Sequence, residues 1–290
     1  MVLRKTTQSR AGSHRDRYPY LPLELSIRYL LIAVMFVVLV GPFLWQLATS
    51  LKGPGESIYG TNLIPQDPTL QHYGTVLKTI PVPRYILNSL IVATASTITN
   101  VIFGSMAGYA LARLRFRGRN LTNLLFIATI IIPFEVIMVS VFLTMRSLNL
   151  VDSLVAVFLP AAASGLSVVL MCTAFQGIPR EIEESAMVDG ANAFQRYLRI
   201  ALPSVQGTIA VVAIFSFVAA WDDFLWPLVI LKDPNNYTLT VGLQFLSGTF
   251  TANQRVIAAG TMVAVIPLLI LFLSLQRWFF RGVGEGAVKG

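Results

Sequence analysis

Three carboxylates stand inside otherwise apolar stretches of this 290-residue chain: Glu135, Asp222 and Asp223. A carboxylate accepts hydrogen bonds from hydroxyl groups and can carry a proton, so each is a candidate for solute contact or proton relay. Trp221 precedes the aspartates, and an indole beside a carboxylate suits a sugar, whose ring has an apolar face and hydroxyl edges. Adjacent helical residues point about 100° apart, so we expect one aspartate to face a solute. A purely structural, hydrogen-bonded Glu135 between helices is the alternative.

The sequence has no pattern typical of catalysis or of a metal centre. It lacks the glycine-rich ATP-binding loop, and no nucleophile–base pair stands out. His14 and His72 are far from other metal-ligating residue types, and the single Cys172 excludes an intrachain disulfide and a cysteine metal cluster. We therefore expect that this chain is not an enzyme and holds no cofactor of its own.

A polar stretch at 177–202 separates two long apolar segments and predicts two short helices with a bend. The residues that favour the first helix start are a proline and three acids, Pro179, Glu181, Glu183 and Glu184. Asp189-Gly190 ends this helix, because glycine tolerates the left-handed geometry of a helix stop. A second helical run covers about 193–200, and Pro203 opens the next apolar segment. An ordinary amphipathic helix at the membrane surface is the alternative.

The composition requires a membrane around most of the chain. It is 55% hydrophobic and 12% charged with a mean hydropathy of +0.68, whereas a soluble domain carries about 25% charged residues. A span needs roughly 20 apolar residues, and six segments qualify: 27–50, 85–111, 121–145, 153–175, 203–231 and 256–279. We predict an all-α polytopic membrane protein with six transmembrane helices over 27–280. The polar stretch would be a cytoplasmic loop between the fourth and fifth, and basic tails would occupy 1–26 and 281–290.

Prolines and charges refine this topology. Five prolines within 51–84 predict a connector without a long helix. Pro133 falls inside the third span, while Pro160 and Gly165 interrupt the fourth. The net charge of +8 is uneven: 16 Lys and Arg lie on the side of both termini and the polar stretch, and 6 on the other. This asymmetry predicts that both termini and the polar stretch are cytoplasmic, and that the basic tail lies near lipid headgroups rather than nucleic acid.

The polar stretch resembles a cytoplasmic loop of permease subunits from binding-protein-dependent ABC importers. The landmarks that carry the resemblance are Glu184, Ser185, Ala186, Asp189, Gly190, Ile200, Leu202 and Pro203, with serine in place of the middle alanine. The resemblance implies that the loop is a coupling helix docked into a cleft of an ATPase subunit. It also implies a second homologous permease subunit, two ATPase subunits that bind ATP and Mg, and an extracytoplasmic solute-binding protein.

A second resemblance points to carbohydrate permeases of the maltose-importer type. Trp221-Asp222-Asp223-Phe224-Leu225-Trp226-Pro227 is similar to a Trp-Asn-x-Phe-x-Trp-Pro run in that group, with Asp222 where asparagine is frequent. The region around Asn88 matches as well, which implies a place for Asn88 in the substrate pathway with Glu135 and the Trp-Asp-Asp run. The C-terminal residues that resemble a tail at the ATPase interface are Gly286, Ala287, Val288, Lys289 and Gly290.

These resemblances imply a sugar importer in a bacterial or archaeal cytoplasmic membrane, with ATP hydrolysis on a separate subunit. The same machine could carry a polyol phosphate or another charged solute, since Asp222 departs from the group pattern. Two different functions also fit the residues: an ion-coupled transporter that uses the carboxylates as a relay, and a membrane scaffold that conducts no solute. For Trp226 we expect a position in the aromatic belt at the membrane surface.

Overall fold

The computed structural model describes the backbone of residues 22–60, 62–247 and 253–287 and the side chains of 25–60, 62–247, 253–274 and 276. The α-helices in chain order are α1 (Pro22–Leu51), α2 (Gln71–Thr79), α3 (Val82–Arg113), α4 (Arg119–Ile131), α5 (Phe134–Ser147), α6 (Leu154–Phe158), α7 (Gly165–Gln176), α8 (Arg180–Val188), α9 (Ala193–Arg196), α10 (Leu202–Ser204), α11 (Gln206–Asp222), α12 (Leu225–Ile230), α13 (Leu239–Ser247) and α14 (Gln254–Ala287). Among the described residues the only β-type pairing is an isolated bridge between Lys52 and Pro68. The predicted all-α class is confirmed.

The chain divides into two compact units, residues 1–45 and 46–290. The first contains most of α1, an apolar helix long enough to span a membrane that includes Pro42. The second contains everything described below. In the described part of the chain α1, α3 and α14 are long enough to span a membrane. Three bent helix pairs raise the number to six if each pair is one span, which agrees with the predicted count.

Two of the three bends fall where the sequence places Pro133 and the Pro160–Gly165 interruption, and the third, at Val205, was not predicted. The axes of α4 and α5 differ by 107°, those of the helices before and after residues 162–164 by 44°, and those of 193–204 and 206–222 by 81°. Pro133 explains the first bend, because proline lacks an N–H donor and excludes the preceding Ile132 from helical geometry. The fifth span begins at Gln206 rather than Pro203, and it ends at Asp222, before a break that separates it from α12.

Helix α3 is the centre of the second unit, and α7 and α11 pack along it. Gly104 and Gly108 make the α3–α7 contact close: a Cβ atom at Gly108 would lie 2.7 Å from the Cβ of Met171. Small residues therefore allow these two helices to approach closely. One buried cluster, which includes Tyr109, Cys172 and Phe175, lies near the C-terminal end of α3, and a second, which includes Tyr85 and Trp221, lies near its N-terminal end. The described residues between α1 and α3 contain one short helix, α2, and α3 begins at Val82, within the predicted 51–84 connector.

Candidate functional site: a polar loop and a polar cavity on one helix

The 177–202 loop has the two helices and the bend that the sequence predicts. Helix α8 ends at Asp189, and Gly190 adopts a φ of 82°, the left-handed conformation expected of a helix stop. Helix α9 starts with a capping box, in which the Asn192 side chain accepts a hydrogen bond from the Gln195 backbone and the Gln195 side chain accepts one from the Asn192 backbone. These local signals fix both helix boundaries, so the bend is specified by the loop itself.

A buried ion pair joins α8 to α3. Arg113 Nε lies 2.9 Å from Glu183 Oε1, and the two side chains are 8% and 9% exposed. The Tyr109 hydroxyl donates a hydrogen bond to the other Glu183 oxygen at 3.2 Å. Arg113 Nη2 also donates to the backbone carbonyls of Phe175, at 2.6 Å, and Ile178, so the guanidinium holds the end of α7 as well. We call Tyr109, Arg113 and Glu183 the coupling lock.

The second half of the loop is seated on the same end of α3. The Tyr197 hydroxyl and the Ser105 hydroxyl share a hydrogen bond of 2.7 Å. The Tyr197 ring lies 5.3 Å from Tyr109, and Tyr109 meets Phe175 edge to face at 5.5 Å. Aromatic contacts of this geometry stabilise beyond their buried area. Both halves of the loop are therefore attached to α3, on the two sides of the Gly190 bend.

The landmark residues of the loop divide into an exposed set and an inward set. The exposed residues are Glu184, Ser185, Asp189, Gly190 and Pro203. Ala186 is buried, while Ile200 and Leu202 are half-buried, and Leu202 packs on the cluster around Tyr109. The exposed set is free to meet another subunit, whereas the inward set attaches the loop to its own chain.

Sequence reasoning missed the coupling lock. It grouped Glu183 with Glu181 and Glu184 as acids of a helix start and did not single out Arg113. A signal was present, since Glu183 precedes Ala186 by three residues and both fall on the buried face of an amphipathic helix. An acid on an apolar face requires a buried partner. The partner could not be chosen from the sequence, because Arg113 is 70 positions away.

A cavity with a mainly apolar lining and a few polar side chains, called here the polar cavity after those side chains, lies further along α3. It has a volume of about 290 Å³ and is bounded by α3, α6, α7 and α11. Its polar lining residues are Ser96, Asn100, Ser164, Ser167, Ser216 and Asp223. Asn100 organises the wall: its amide donates to the Ala161 carbonyl at 2.8 Å, and its oxygen accepts from the Ser164 N–H at 2.9 Å. The serine hydroxyls and one carboxylate can bind a solute rich in hydroxyl groups.

The two adjacent aspartates differ in exposure for a reason other than the predicted helical repeat, because α11 ends at Asp222 and Asp223 has an extended backbone (φ −63°, ψ 125°). Asp223 lines the cavity, whereas Asp222 is exposed and does not. The Glu135 carboxylate is exposed in the first turn of α5 and is close enough to act electrostatically on Asp223. The structure therefore brings Glu135, Asp222 and Asp223 to one region of the molecule.

Trp221 and Asn88 have internal partners instead of cavity positions. Trp221 is 3% exposed and its indole N–H donates to the Ala264 carbonyl at 3.3 Å. Asn88 is 7% exposed, and its amide donates to the carbonyls of Asn235 and Tyr237, both at 2.9 Å. Neither residue lines the described cavity. Their pattern in the sequence reflects the packing that supports the cavity wall.

Trp226 corrects a second expectation. It is 3% exposed, and its indole N–H donates to the Ala156 carbonyl at 3.0 Å, so the residue belongs to the interior and not to an aromatic belt. Of the predicted C-terminal contact, Gly286 and Ala287 continue the backbone of α14. Val288, Lys289 and Gly290 lie outside the described residues.

A latch of hydrogen bonds closes the N-terminal end of α3. Besides the Asn88 bonds, Arg84 Nε donates to the Asn235 carbonyl at 2.8 Å, and the Ser89 hydroxyl accepts from the Leu239 N–H at 2.8 Å. We call Arg84, Asn88 and Ser89, with the 235–239 segment that they hold, the latch. It fixes the chain between α12 and α13 to α3.

Asp152, in the loop between α5 and α6, holds the same segment from the other side. Its carboxylate accepts hydrogen bonds from the N–H groups of Lys232, at 2.9 Å, and Asp233, at 3.0 Å. Burial alone would raise the pKa of Asp152, but these bonds, the Asn236 amide and the charge of Lys232 together lower it. Asp152 has a φ of 65°, which aspartate tolerates better than most residues.

A membrane-spanning helical fold, a polar loop between spans and a cavity within the bundle define a transport permease. The family described as "Binding-protein-dependent transport system inner membrane component" matches residues 100–285. The chain therefore belongs to this family, the permease subunits of ABC importers, which are not enzymes.

Named relatives and solved structures agree with this family. The arabinooligosaccharides transport system permease protein AraQ of Halalkalibacterium halodurans is 36% identical over 70% of this chain and 73% of its own length. The sulfoquinovosyl glycerol transport system permease protein SmoH of Agrobacterium fabrum is 33% identical over 91% and 94%. The fold matches the crystal structure of a bacterial ABC transporter involved in the import of the acidic polysaccharide alginate, with a TM-score of 0.79 and 22% identity over 89% and 96% of the two chains.

Proposed function

We propose that this chain is a permease subunit of an ATP-driven importer for a neutral sugar or oligosaccharide and that α3 transmits the motion of the ATPase. The observation that carries the proposal is the position of α3. One continuous helix forms the coupling lock with α8 through Arg113, and it lines the polar cavity through Ser96 and Asn100. A displacement of the loop is therefore transmitted to the cavity by α3, with no flexible segment between them.

The proposed machine has the partners that the family resemblance implies. A second permease subunit pairs with this chain, two ATPase subunits bind ATP and Mg, and a solute-binding protein delivers the solute from outside. The exposed residues of the loop dock on one ATPase, and ATP-driven closure of the ATPase dimer moves the loop. The bundle then changes between inward-facing and outward-facing states as a rigid body. Both termini and the loop lie in the cytoplasm, as the charge asymmetry indicates.

The chemistry of the cavity favours a neutral solute. Hydroxyls from Ser96, Ser164, Ser167 and Ser216 suit hydroxyl-bearing ligands. The carboxylates of Asp223, Asp222 and Glu135 would repel an anion, and they could also accept hydrogen bonds from sugar hydroxyls. The named relatives are permeases for arabinooligosaccharides in one case and for sulfoquinovosyl glycerol in the other. For this chain, the three carboxylates favour an uncharged solute.

Replacing Gly190 with valine tests the coupling role. A β-branched residue is strained at a φ of 82°, so the α8–α9 bend should open and sugar-stimulated ATP hydrolysis should be lost. Gly118→Val is the matched control, because Gly118 has a φ of 86° and also has open space around its Cα. Both variants are assembled with the partner subunits in liposomes, and ATPase rate and sugar uptake are measured. Full coupling in Gly190→Val, or uptake without ATPase subunits that an uncoupler abolishes, would reject the proposal.

Exchanging each aspartate for asparagine tests the solute. Asp223→Asn removes the charge from the cavity and should raise the half-saturating sugar concentration by about five- to thirtyfold, the worth of a charge-assisted hydrogen bond. Asp222→Asn is the matched control and should stay within about twofold, since Asp222 lies outside the cavity. Equal responses of the two variants, with assembly verified, would remove Asp223 from the solute path.

A further inference from the structure

A second cavity lies beside the coupling lock, and its lining is unusually basic. Its volume is about 270 Å³, and α3, α4, α8 and α9, with the 114–118 turn, supply the charged residues. Two glutamates, Glu183 and Glu184, face five arginines there. The arginines are Arg113, Arg115, Arg119, Arg180 and Arg196. The mechanism proposed above uses only Arg113 of this group, so four positive charges are without an assigned role.

The protein itself leaves most of this charge uncompensated. Arg113 forms the only ion pair among the described residues. Arg119 donates to the neutral carbonyl of Leu111 at 2.6 Å, so its charge is not balanced. The Nε of Arg196 is shielded from water and has no acceptor in the described part of the chain. Arg115 and Arg180 are exposed at the cavity wall. Converging guanidinium groups that outnumber the nearby carboxylates are typical of a phosphate site.

The neighbouring surface indicates where the phosphate comes from. An adjoining groove of about 350 Å³ contains Arg115 and Arg119 at one end and Leu121 at the other. Leu121 and Leu124 of α4 are 61% and 60% exposed, so an apolar surface continues from the arginines along a membrane span. A basic end followed by an apolar strip matches the two parts of a phospholipid. In the topology expected from the charge asymmetry, the C-terminal end of α3 and the start of α4 face the cytoplasmic leaflet, where anionic headgroups occur.

We propose that this five-arginine cavity binds the phosphate of an anionic membrane lipid, with an acyl chain along Leu121 and Leu124. The bound headgroup lowers the net positive charge of the cavity and can accept hydrogen bonds from Arg115, Arg119, Arg180 and Arg196, and thereby connects α3 and α4 to both halves of the coupling loop. The lipid is then a ligand of the coupling region, and its presence should tighten the loop against α3. This site is independent of the identity of the transported solute.

The test compares lipid binding by the delipidated, full-length permease complex in detergent. Short-chain phosphatidylglycerol, short-chain phosphatidylcholine and inorganic phosphate are titrated, and binding is followed by calorimetry and by native mass spectrometry. The double variant R115Q/R180Q should bind phosphatidylglycerol about thirtyfold more weakly, because each arginine contributes about fivefold to anionic-lipid affinity. The single variant R115Q should show a smaller loss of affinity for phosphatidylglycerol, and it replaces the double variant if that variant does not assemble.

Arg117→Gln is the matched control, since Arg117 is exposed in the same turn but lines neither cavity. Its affinity for phosphatidylglycerol should remain within about twofold of the parent. An equal loss in R117Q would show general electrostatic attraction and overturn the site. Equal binding of phosphatidylcholine would overturn the requirement for an anion. Binding of inorganic phosphate without binding of phosphatidylglycerol would overturn the lipid as the source.

Discussion

The two ends of α3 are held by different chemistry. At the coupling lock a buried guanidinium meets a carboxylate, and aromatic rings surround the pair. At the latch, the Asn88 amide and the Arg84 guanidinium donate to backbone carbonyls instead. The stability of the lock therefore depends strongly on each partner, because a buried charge without its counter-charge lowers the free energy of unfolding by several kcal/mol. The latch distributes its stability over several modest bonds.

Loss of Glu183 should have the largest effect on this comparison. Glu183→Ala leaves Arg113 buried without a counter-charge, and we expect a loss of about 3 kcal/mol in unfolding free energy, since Arg113 keeps two carbonyl acceptors. Co-purification of the ATPase should fall as well. Thermal and denaturant unfolding of the purified subunit measure the first effect. Glu181→Ala removes an exposed acid from the same helix turn and should change little. Similar losses of unfolding free energy in the two variants would show that the buried ion pair stabilises the fold no more than an exposed acid does.

Truncation of Asn88 should have an intermediate effect. Asn88→Ala removes two hydrogen bonds, which should cost about 1 to 2 kcal/mol; the Asn235 carbonyl keeps its bond from Arg84, whereas the Tyr237 carbonyl loses its side-chain donor. The coupling lock should be unaffected, so ATPase association should persist. Thr94→Ala, on an exposed face of the same helix, is the control for helix propensity. A loss for Asn88→Ala as large as that for Glu183→Ala would break the distinction between the two ends.

Lowering the pH should destabilise the latch region first, and this effect should be smaller than the effects of the Glu183 and Asn88 substitutions. Because the folded-state pKa of Asp152 is lowered, its stabilising contribution is complete above the unfolded pKa of about 3.9. The contribution is lost as the pH falls below that value through the folded pKa. Asp152→Asn retains the left-handed backbone and removes the titrating group. The melting temperature of the variant should therefore fall less than that of the parent between about pH 5 and pH 3. Parallel pH profiles would contradict this assignment.

What the sequence predicted well was local or compositional. Six apolar segments and the helix stop at Gly190 follow from hydropathy and from glycine geometry. What it could not predict was long-range pairing. The Arg113–Glu183 contact spans 70 positions, and the Asn88 bonds to residues 235 and 237 span about twice as many.

The errors have the same origin. Trp226 carries the pattern of a membrane-surface residue, but a buried indole is equally stable if a carbonyl lies within reach, and Ala156 provides one. The bend at Pro133 was visible in the sequence, yet its angle of 107° depends on packing against other helices. Residue types give the hydrogen-bonding capacity of a site, and only the fold shows which partner satisfies it.

Because α3 is long, its tilt should depend on the thickness of the bilayer. Its 32 residues extend about 48 Å at the rise of an α-helix, whereas the hydrocarbon core of a bilayer is about 30 Å thick. An upright α3 therefore extends beyond the hydrocarbon on both sides, and a tilted one brings Arg84 and Arg113 closer to it. Lipids with longer acyl chains favour the upright helix, and shorter chains favour the tilt. The lock and the latch then respond together to hydrophobic mismatch, because a single rod connects them.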